Sequence, residues 1–456
     1  MKKRNPLRPV LTFGLLAVGI LAITSCGRDA IFFTIATEVP PQPPLIRGGP
    51  TQMVVFNWPL PQDLASTREA LGETPEENLE PNGSDEPNGP GQGNGTEPDN
   101  GEPPRYRPVL FSASGGLFWY TSTPTLDDEG NVTLGRNAGW RKPIGIPDRP
   151  RGMIIDIAAT QSHLYILVMT GTGVDTSIHR LESGGNRWDP VAFTGPGNIQ
   201  SIFADPQGGR LFAGVQDRGG HSIWYHEGSD QLRQLDGTRA LPNDQTTDNT
   251  GLLSGVVNRG ETYFISTRNG ILQVDGASVT WLTQDISRVF MGIIRLPDGS
   301  IITVARSGGF LYRVDSNSLE RVPDTSDSND EHMRTRRDAT GAIAIWEDIE
   351  GGERMLIAGV QGARTATTFN NGYVEFALNP DGSLNTGVQR RETSALLSVR
   401  GQNDQYRTSL GRLPINHLFQ APREVDEDMT FFASTQTAGL WSFRVHNGVP
   451  QWNAEN

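Results

Sequence analysis

The chain has 456 residues, 36% of them hydrophobic, and its 39 Lys and Arg are outnumbered by 52 Asp and Glu for a formal charge of −13. A surface of that sign is repelled by nucleic acid and by anionic headgroups, so nucleic-acid binding is excluded. The 53 glycines and 31 prolines suit short strands joined by turns better than long helices, and a single cysteine leaves no pair for a disulfide.

Residues 1–25 read as an export signal. Lys2, Lys3, Arg4 and Arg8 form a basic region, and an apolar run follows at 10–23, broken by Thr12 and two glycines. A bilayer core about 30 Å thick needs roughly 20 helical residues, so this run is too short for a permanent span. It ends at Ile23-Thr24-Ser25-Cys26, which resembles the lipobox of bacterial lipoproteins: an aliphatic residue, two small residues and a cysteine. The resemblance implies cleavage before Cys26, which takes the charge from −13 to −17, a diacylglyceryl thioether on its sulfur and an acyl group, palmitate in kind, on the new amine. Two or three such chains anchor a protein to a membrane almost permanently, whereas one holds it marginally. Gly27 stands where an aspartate often retains lipoproteins at an inner membrane, so an envelope location is expected, periplasmic or cell-surface, with the outer membrane favoured.

Residues 26–60 carry two strand-like stretches, Ile31-Phe32-Phe33-Thr34-Ile35 and Met53-Val54-Val55-Phe56. Residues 61–104 change character sharply: Glu73, Glu76, Glu77, Glu80, Asp85, Glu86, Glu97, Asp99 and Glu102 alternate with Pro, Gly and Asn, without a large apolar residue after Leu79. Such a stretch buries too little surface to offset its ordering entropy, so it is expected to be a disordered, solvated acidic loop rather than a cation-attracting tether.

Residues 105–456 repeat a turn glycine followed by an alternating strand: Gly116-Leu117-Phe118-Trp119-Tyr120, Gly270-Ile271-Leu272-Gln273-Val274, Gly309-Phe310-Leu311-Tyr312, Gly372-Tyr373-Val374-Glu375-Phe376 and Gly439-Leu440-Trp441-Ser442-Phe443. Weaker copies begin at Ser177 and Ser222. A second apolar strand precedes most copies, as at Leu164-Tyr165-Ile166-Leu167-Val168, and a third precedes that, as at Ile154-Ile155-Asp156-Ile157-Ala158. A fourth follows, often with tryptophan, as at Trp140, Trp188, Trp281 and Trp452. Turn signals such as Pro297-Asp298-Gly299 fall between first and second strands. Four antiparallel strands recurring about every 40 to 65 residues is the pattern of a β-propeller blade, similar to WD40-like propellers. Seven such blades are expected, with long insertions at 324–337 and 347–354. Closure normally draws strands from both chain ends, and Met53-Val54-Val55-Phe56 is available for the first blade, which would make 61–104 an insertion within it.

Glu182-Ser183-Gly184-Gly185-Asn186-Arg187-Trp188, and less fully Asp275-Gly276-Ala277-Ser278-Val279-Thr280-Trp281, resemble the Asp-box hairpin of sialidase-like and sortilin-like propellers, a folding element remote from chemistry. A sialidase would need an arginine triad and an early Arg-Ile-Pro-like motif, whereas Arg295-Leu296-Pro297 and Arg412-Leu413-Pro414 come late and read as strand ends. His221 and His226, read as lying on a strand hairpin, have no carboxylate at ligand spacing, and Asp324, Asp327, Asp330 and Glu331 read as a solvated loop rather than a calcium site. No nucleophile elbow or P-loop is present, and no motif calls for a cofactor. Trp346, beside Glu347 and Asp348 in an expected loop, is the tryptophan singled out for ligand contact. These readings favour a lipid-anchored, non-catalytic binding or scaffold protein with a protein or glycan partner on its loops. The alternatives are a hydrolase or lyase acting on a sugar or lactone in the central funnel, and an envelope assembly factor.

Overall fold

The structure is a computed structural model that describes residues 52–59 and, interrupted at loops, 106–455. All of these belong to the unit Pro44–Asn456. Cys26, the stretch 31–35, the acidic tract 61–104 and the insertion carboxylates Asp324, Asp327, Asp330 and Glu331 lie outside the described residues.

Every element among the described residues is a strand. Met53–Pro59 (β1), Tyr106–Ala113 (β2), Leu117–Leu126 (β3) and Val132–Arg141 (β4) pair in that order. The second sheet is Met153–Ala159 (β5), His163–Thr170 (β6), Asp175–Glu182 (β7) and Asp189–Val191 (β8). The third is Asn198–Ala204 (β9), Leu211–Asp217 (β10), Gly220–His226 (β11) and Arg233–Gln234 (β12). The fourth is Leu253–Arg259 (β13), Thr262–Thr267 (β14), Gly270–Asp275 (β15) and Ser278–Thr283 (β16). The fifth is Phe290–Arg295 (β17), Ile301–Ala305 (β18), Leu311–Asp315 (β19) and Ser318–Arg321 (β20). The sixth is Asp338–Asp348 (β21), Glu353–Gln361 (β22), Gly372–Ala377 (β23), Arg391–Ser394 (β24) and Gln405–Arg407 (β25). The last is Ile415–Pro422 (β26), Met429–Thr435 (β27), Gly439–His446 (β28) and Val449–Ala454 (β29).

The first strands of successive sheets touch in a closed cycle, β1, β5, β9, β13, β17, β21, β26 and back to β1, so the fold is an all-β β-propeller with those strands around its axis. The expected uniform set of seven four-stranded blades is corrected: six sheets have that form, and the sheet β21–β25 has five strands, with β25 added parallel to β24. The residues responsible are Gln405, Tyr406 and Arg407, which pair beside Glu392, Thr393 and Ser394.

All seven glycine- or serine-led repeats form third strands, from β3 to β28. Gly270 shows why glycine opens one of them: its φ is +154°, and a Cβ there would lie 1.9 Å from the Thr283 carbonyl oxygen. Both faces of an inner sheet are covered, so β10 and β18 are apolar along nearly their whole length. Apolar clusters fill the seams between neighbours, for example Phe212 and Ile223 against Tyr263 and Ile265 between the third and fourth sheets. At about 1.5–3 kcal/mol for each fully buried large side chain, these seams are the main source of stability in a chain without disulfides.

The ring closes by face packing. Met53 and Trp140 of the first sheet meet Phe432 and Leu440 of the last, with the Trp140 and Phe432 rings edge to face at 5.7 Å. Among the described residues no C-terminal strand enters the first sheet, contrary to the expected sharing between chain ends; β1 pairs with β2 from Met53↔Ser112 to Pro59↔Tyr106. Of the expected insertion 347–354, Glu347 and Asp348 end β21 and Glu353 and Arg354 open β22, Glu347 and Arg354 forming an ion pair at 2.9 Å; 349–352 lie outside the described residues.

Candidate functional site at the axial rim

Six of the seven first strands carry a β-bulge close to their start. The extra residues are Ile155 in β5, Gln200 in β9, Ser254 in β13, one of Met291 and Gly292 in β17, two of residues 340–342 in β21 and Asn416 in β26. A bulge bends its strand and re-aims a side chain, and bulges concentrate beside binding sites. At these positions Ile155, Gln200, Ser254, Met291 and Thr340 are half-buried and Asn416 is exposed. Together they make a rim around one end of the axis. Its side chains are amides, hydroxyls and aliphatic groups, with no charge at any bulged position.

The rim backbones approach closely. Gly292 has φ +77°, and a Cβ on it would stand 2.4 Å from the Gly341 carbonyl oxygen of the next sheet. Polar side chains on the first strands and at their ends, Asp205 and the Gln420–Glu347 pair lying toward the ends away from the rim, bond to neighbouring backbone. Asp156, 4% exposed, accepts from Ile157 N at 3.0 Å and from Ile202 N of the next sheet at 2.9 Å. Gln52 donates to the Ile202 carbonyl at 3.0 Å. Asp205, also 4% exposed, accepts from Asn258 N at 2.7 Å and Gln207 N at 2.9 Å. Gln420 and Glu347 exchange hydrogen bonds, the amide of Gln420 donating to the Glu347 carbonyl and accepting from its N–H, both at 3.0 Å. A carboxylate whose two oxygens each accept a backbone N–H is held in place by the fold and serves to join neighbouring segments.

The densest cluster of titratable groups lies elsewhere, between the outer parts of the second and third sheets. The Tyr165 hydroxyl is 3.2 Å from His226 Nδ1, Arg180 Nη1 is 3.1 Å from His226 Nε2, and Arg180 pairs with Asp230 at 2.8 Å. Burial pushes the Tyr165 hydroxyl up to about 12 and holds the His226 imidazole below its ordinary range. Tyr165 and His226 are 2% and 0% exposed, so this arrangement staples two sheets, and of its four side chains only Asp230 stands open to solvent.

The residues singled out in the sequence are dispersed. Trp346 lies on β21 rather than in a loop, is 4% exposed, and packs against Phe431 at 5.6 Å and Phe443 at 4.6 Å within the sixth-to-seventh seam. His221 and His226 both lie on β11, one strand of the β10–β11 hairpin, as expected. Arg295 ends β17, with Nη1 donating to the Asn258 carbonyl at 3.0 Å and Nη2 to Gln207, so it is a connector between sheets. Both Asp-box-like segments lie between third and fourth strands, at the β7–β8 and β15–β16 turns. Among the described residues no group of three or more His, Cys, Asp or Glu could hold a metal ion. The bulges escaped sequence reading, although Gly255, Gly292 and Gly341, each early in a first strand, are the trace they leave.

No protein-family model matches the sequence, and no curated protein matches it. Solved structures do. A GH74 enzyme from Niastella koreensis is 14% identical over 76% of this chain and 52% of its own, with a TM-score of 0.48. A catalytically inactive virginiamycin B lyase from Staphylococcus aureus, with quinupristin, is 10% identical over 74% and 90%, at 0.41. YCF48 bound to D1 peptide is 12% identical over 73% and 87%, at 0.38. The chain spans about half the length of the GH74 enzymes it matches, 52% for that of Niastella koreensis and for a xyloglucanase from Xanthomonas campestris. These are likenesses of fold, and no functional residue is carried across from them.

Proposed function

We propose that the chain is a lipid-anchored envelope protein whose propeller binds a protein or glycan partner at the axial rim without transforming it. The observation that carries this reading is the chemistry of the rim: its bulged positions carry no charge, and Asp156, the carboxylate beside them on β5, gives both oxygens to backbone N–H groups. A hydrolase or lyase needs a pair of groups free to exchange protons beside the bound substrate. A ring of amides and hydroxyls instead offers hydrogen bonds without desolvating a charge. The acyl anchor on Cys26 rests on the lipobox resemblance and would tether the chain to a membrane. We count the β21–β25 sheet as the seventh blade of the ring despite its fifth strand.

The test is site-specific photo-crosslinking in intact cells, with the probe at Gln200 or Asn416 on the rim and at Gln161 on the opposite face. The reading expects a discrete adduct in the membrane fraction from the rim probes alone, and its loss from that fraction with Cys26→Ser. Adducts from Gln161 alone overturn it. Turnover of a neutral oligosaccharide or lactone that fails with Gln200→Ala would instead establish the enzymatic reading.

A further inference from the structure

Beside the rim, where β5 begins and β6 ends, lies a recess of about 410 Å³ lined by Arg151, Gly152, Met153, Met169, Thr170 and Gly171. Met153 is 46% exposed, one of two large apolar side chains left open among the described residues. Gly152 has φ +133°, and a Cβ on it would stand 2.5 Å from Val168 Cγ1 and 2.7 Å from the Met169 carbonyl oxygen. Only glycine allows the chain to pass there, and its passage sets Arg151 against the end of β6. Arg151 is exposed and has no ion pair or hydrogen bond among the described residues, in a chain where acidic groups outnumber basic ones. The site therefore joins an exposed guanidinium to two thioether side chains and the backbone of two glycines.

We propose that this recess docks the C-terminal end of a partner peptide, taking an aliphatic last side chain between Met153 and Met169 and the terminal carboxylate on Arg151. A guanidinium receives a carboxylate in a planar, two-point fashion that an ammonium cannot match. Methionine side chains adapt to aliphatic shapes of several kinds. The volume holds one large side chain with its carboxylate and excludes a folded domain. A C-terminal residue supplies both groups from one small unit, a carboxylate for Arg151 and an aliphatic side chain for the two methionines, whereas docking a second copy would bring together two chains of net charge −13 each. The inference rests on the binding reading of the rim and names the chemistry of its partner.

The test is fluorescence anisotropy on the full chain in detergent micelles with three fluorescein-labelled hexapeptides: one ending in leucine with a free carboxylate, its C-terminal amide, and one ending in serine. The free-carboxylate leucine peptide is expected to bind about tenfold or more tightly than either other. Arg151→Gln should erase the difference between acid and amide, and Met153→Ser the difference between leucine and serine, with unfolding midpoints unchanged because both side chains are exposed. Equal binding of the three peptides, no binding, or a preference that survives Arg151→Gln overturns the assignment. If the peptides fail to discriminate while rim cross-links persist, the recess is wrong and the binding reading stands. Peptide discrimination without rim cross-links supports the recess and removes the rim reading.

Discussion

His417 sits where the ring closes. It belongs to β26, its ring hydrogen-bonds to the backbone of Met53 in β1, and its Nε2 is shielded from solvent without a partner. Burial pushes its pKa down from 6.5 to about 4, and the bond to Met53 offsets part of that shift. The folded state thus resists a proton that the unfolded chain accepts. The stability this provides is complete above pH 6.5 and is lost as the pH falls toward 4, about 3 kcal/mol in all. Urea unfolding at pH 7 and pH 4 should show that loss, and His417→Gln should reduce the difference by a similar amount; an unchanged difference would place the acid sensitivity elsewhere. Trp346 makes the opposite case, a residue whose exposed acidic neighbours suggested ligand contact. It is buried, and Trp346→Ala should cost about 3–5 kcal/mol in urea unfolding, as a large aromatic removed from a core does. A cost below about 1 kcal/mol would contradict its place in the seam. The sequence could not tell these roles apart because Glu347 follows Trp346 on the same strand and turns to the surface.

At the scale of elements, third strands were legible because a glycine or serine start and uninterrupted alternation mark them, as in Gly270-Ile271-Leu272-Gln273-Val274. The first strands β13 and β21 were not. In Leu253-Ser254-Gly255 and Thr340-Gly341-Ala342 the bulge falls on small and polar residues that carry no strand signal, whereas the bulged Ile155 of β5 is aliphatic and leaves its stretch readable. The candidate rim was illegible because it consists of the bulges themselves. Gly292 tests whether the bulges are required. Its positive φ and the 2.4 Å approach to the Gly341 carbonyl leave no room for a methyl group, so Gly292→Ala should destabilise the protein by more than about 2 kcal/mol. Gly260→Ala, at φ +65° with nothing near its Cβ, should cost about 1 kcal/mol. Equal urea midpoints for the two variants would mean that the close approach is not maintained in solution.

At the scale of the whole molecule, the decisive connection is local in space and distant in sequence. Pro59 and Tyr106 are paired neighbours at the ends of β1 and β2, so the acidic tract leaves and re-enters one sheet at adjacent points. Composition identified the tract but not the closeness of its ends, because strand pairing across it depends on packing that no local pattern records. Replacing residues 60–105 with a four-residue turn shortens the closed loop more than tenfold, worth about 2 kcal/mol of closure entropy. The shortened protein should fold and unfold at a higher urea midpoint; failure to fold would show that the tract does more than connect β1 to β2.

The binding role of the rim is tested most directly by hydrogen–deuterium exchange on the full chain, before and after adding the partner captured from the rim. The account predicts new protection in the opening residues of β5, β9, β13, β17, β21 and β26, where the bulged backbones face the axis. Protection confined to the turns at the opposite ends of those strands, such as 160–162, 205–210 and 296–300, would contradict it.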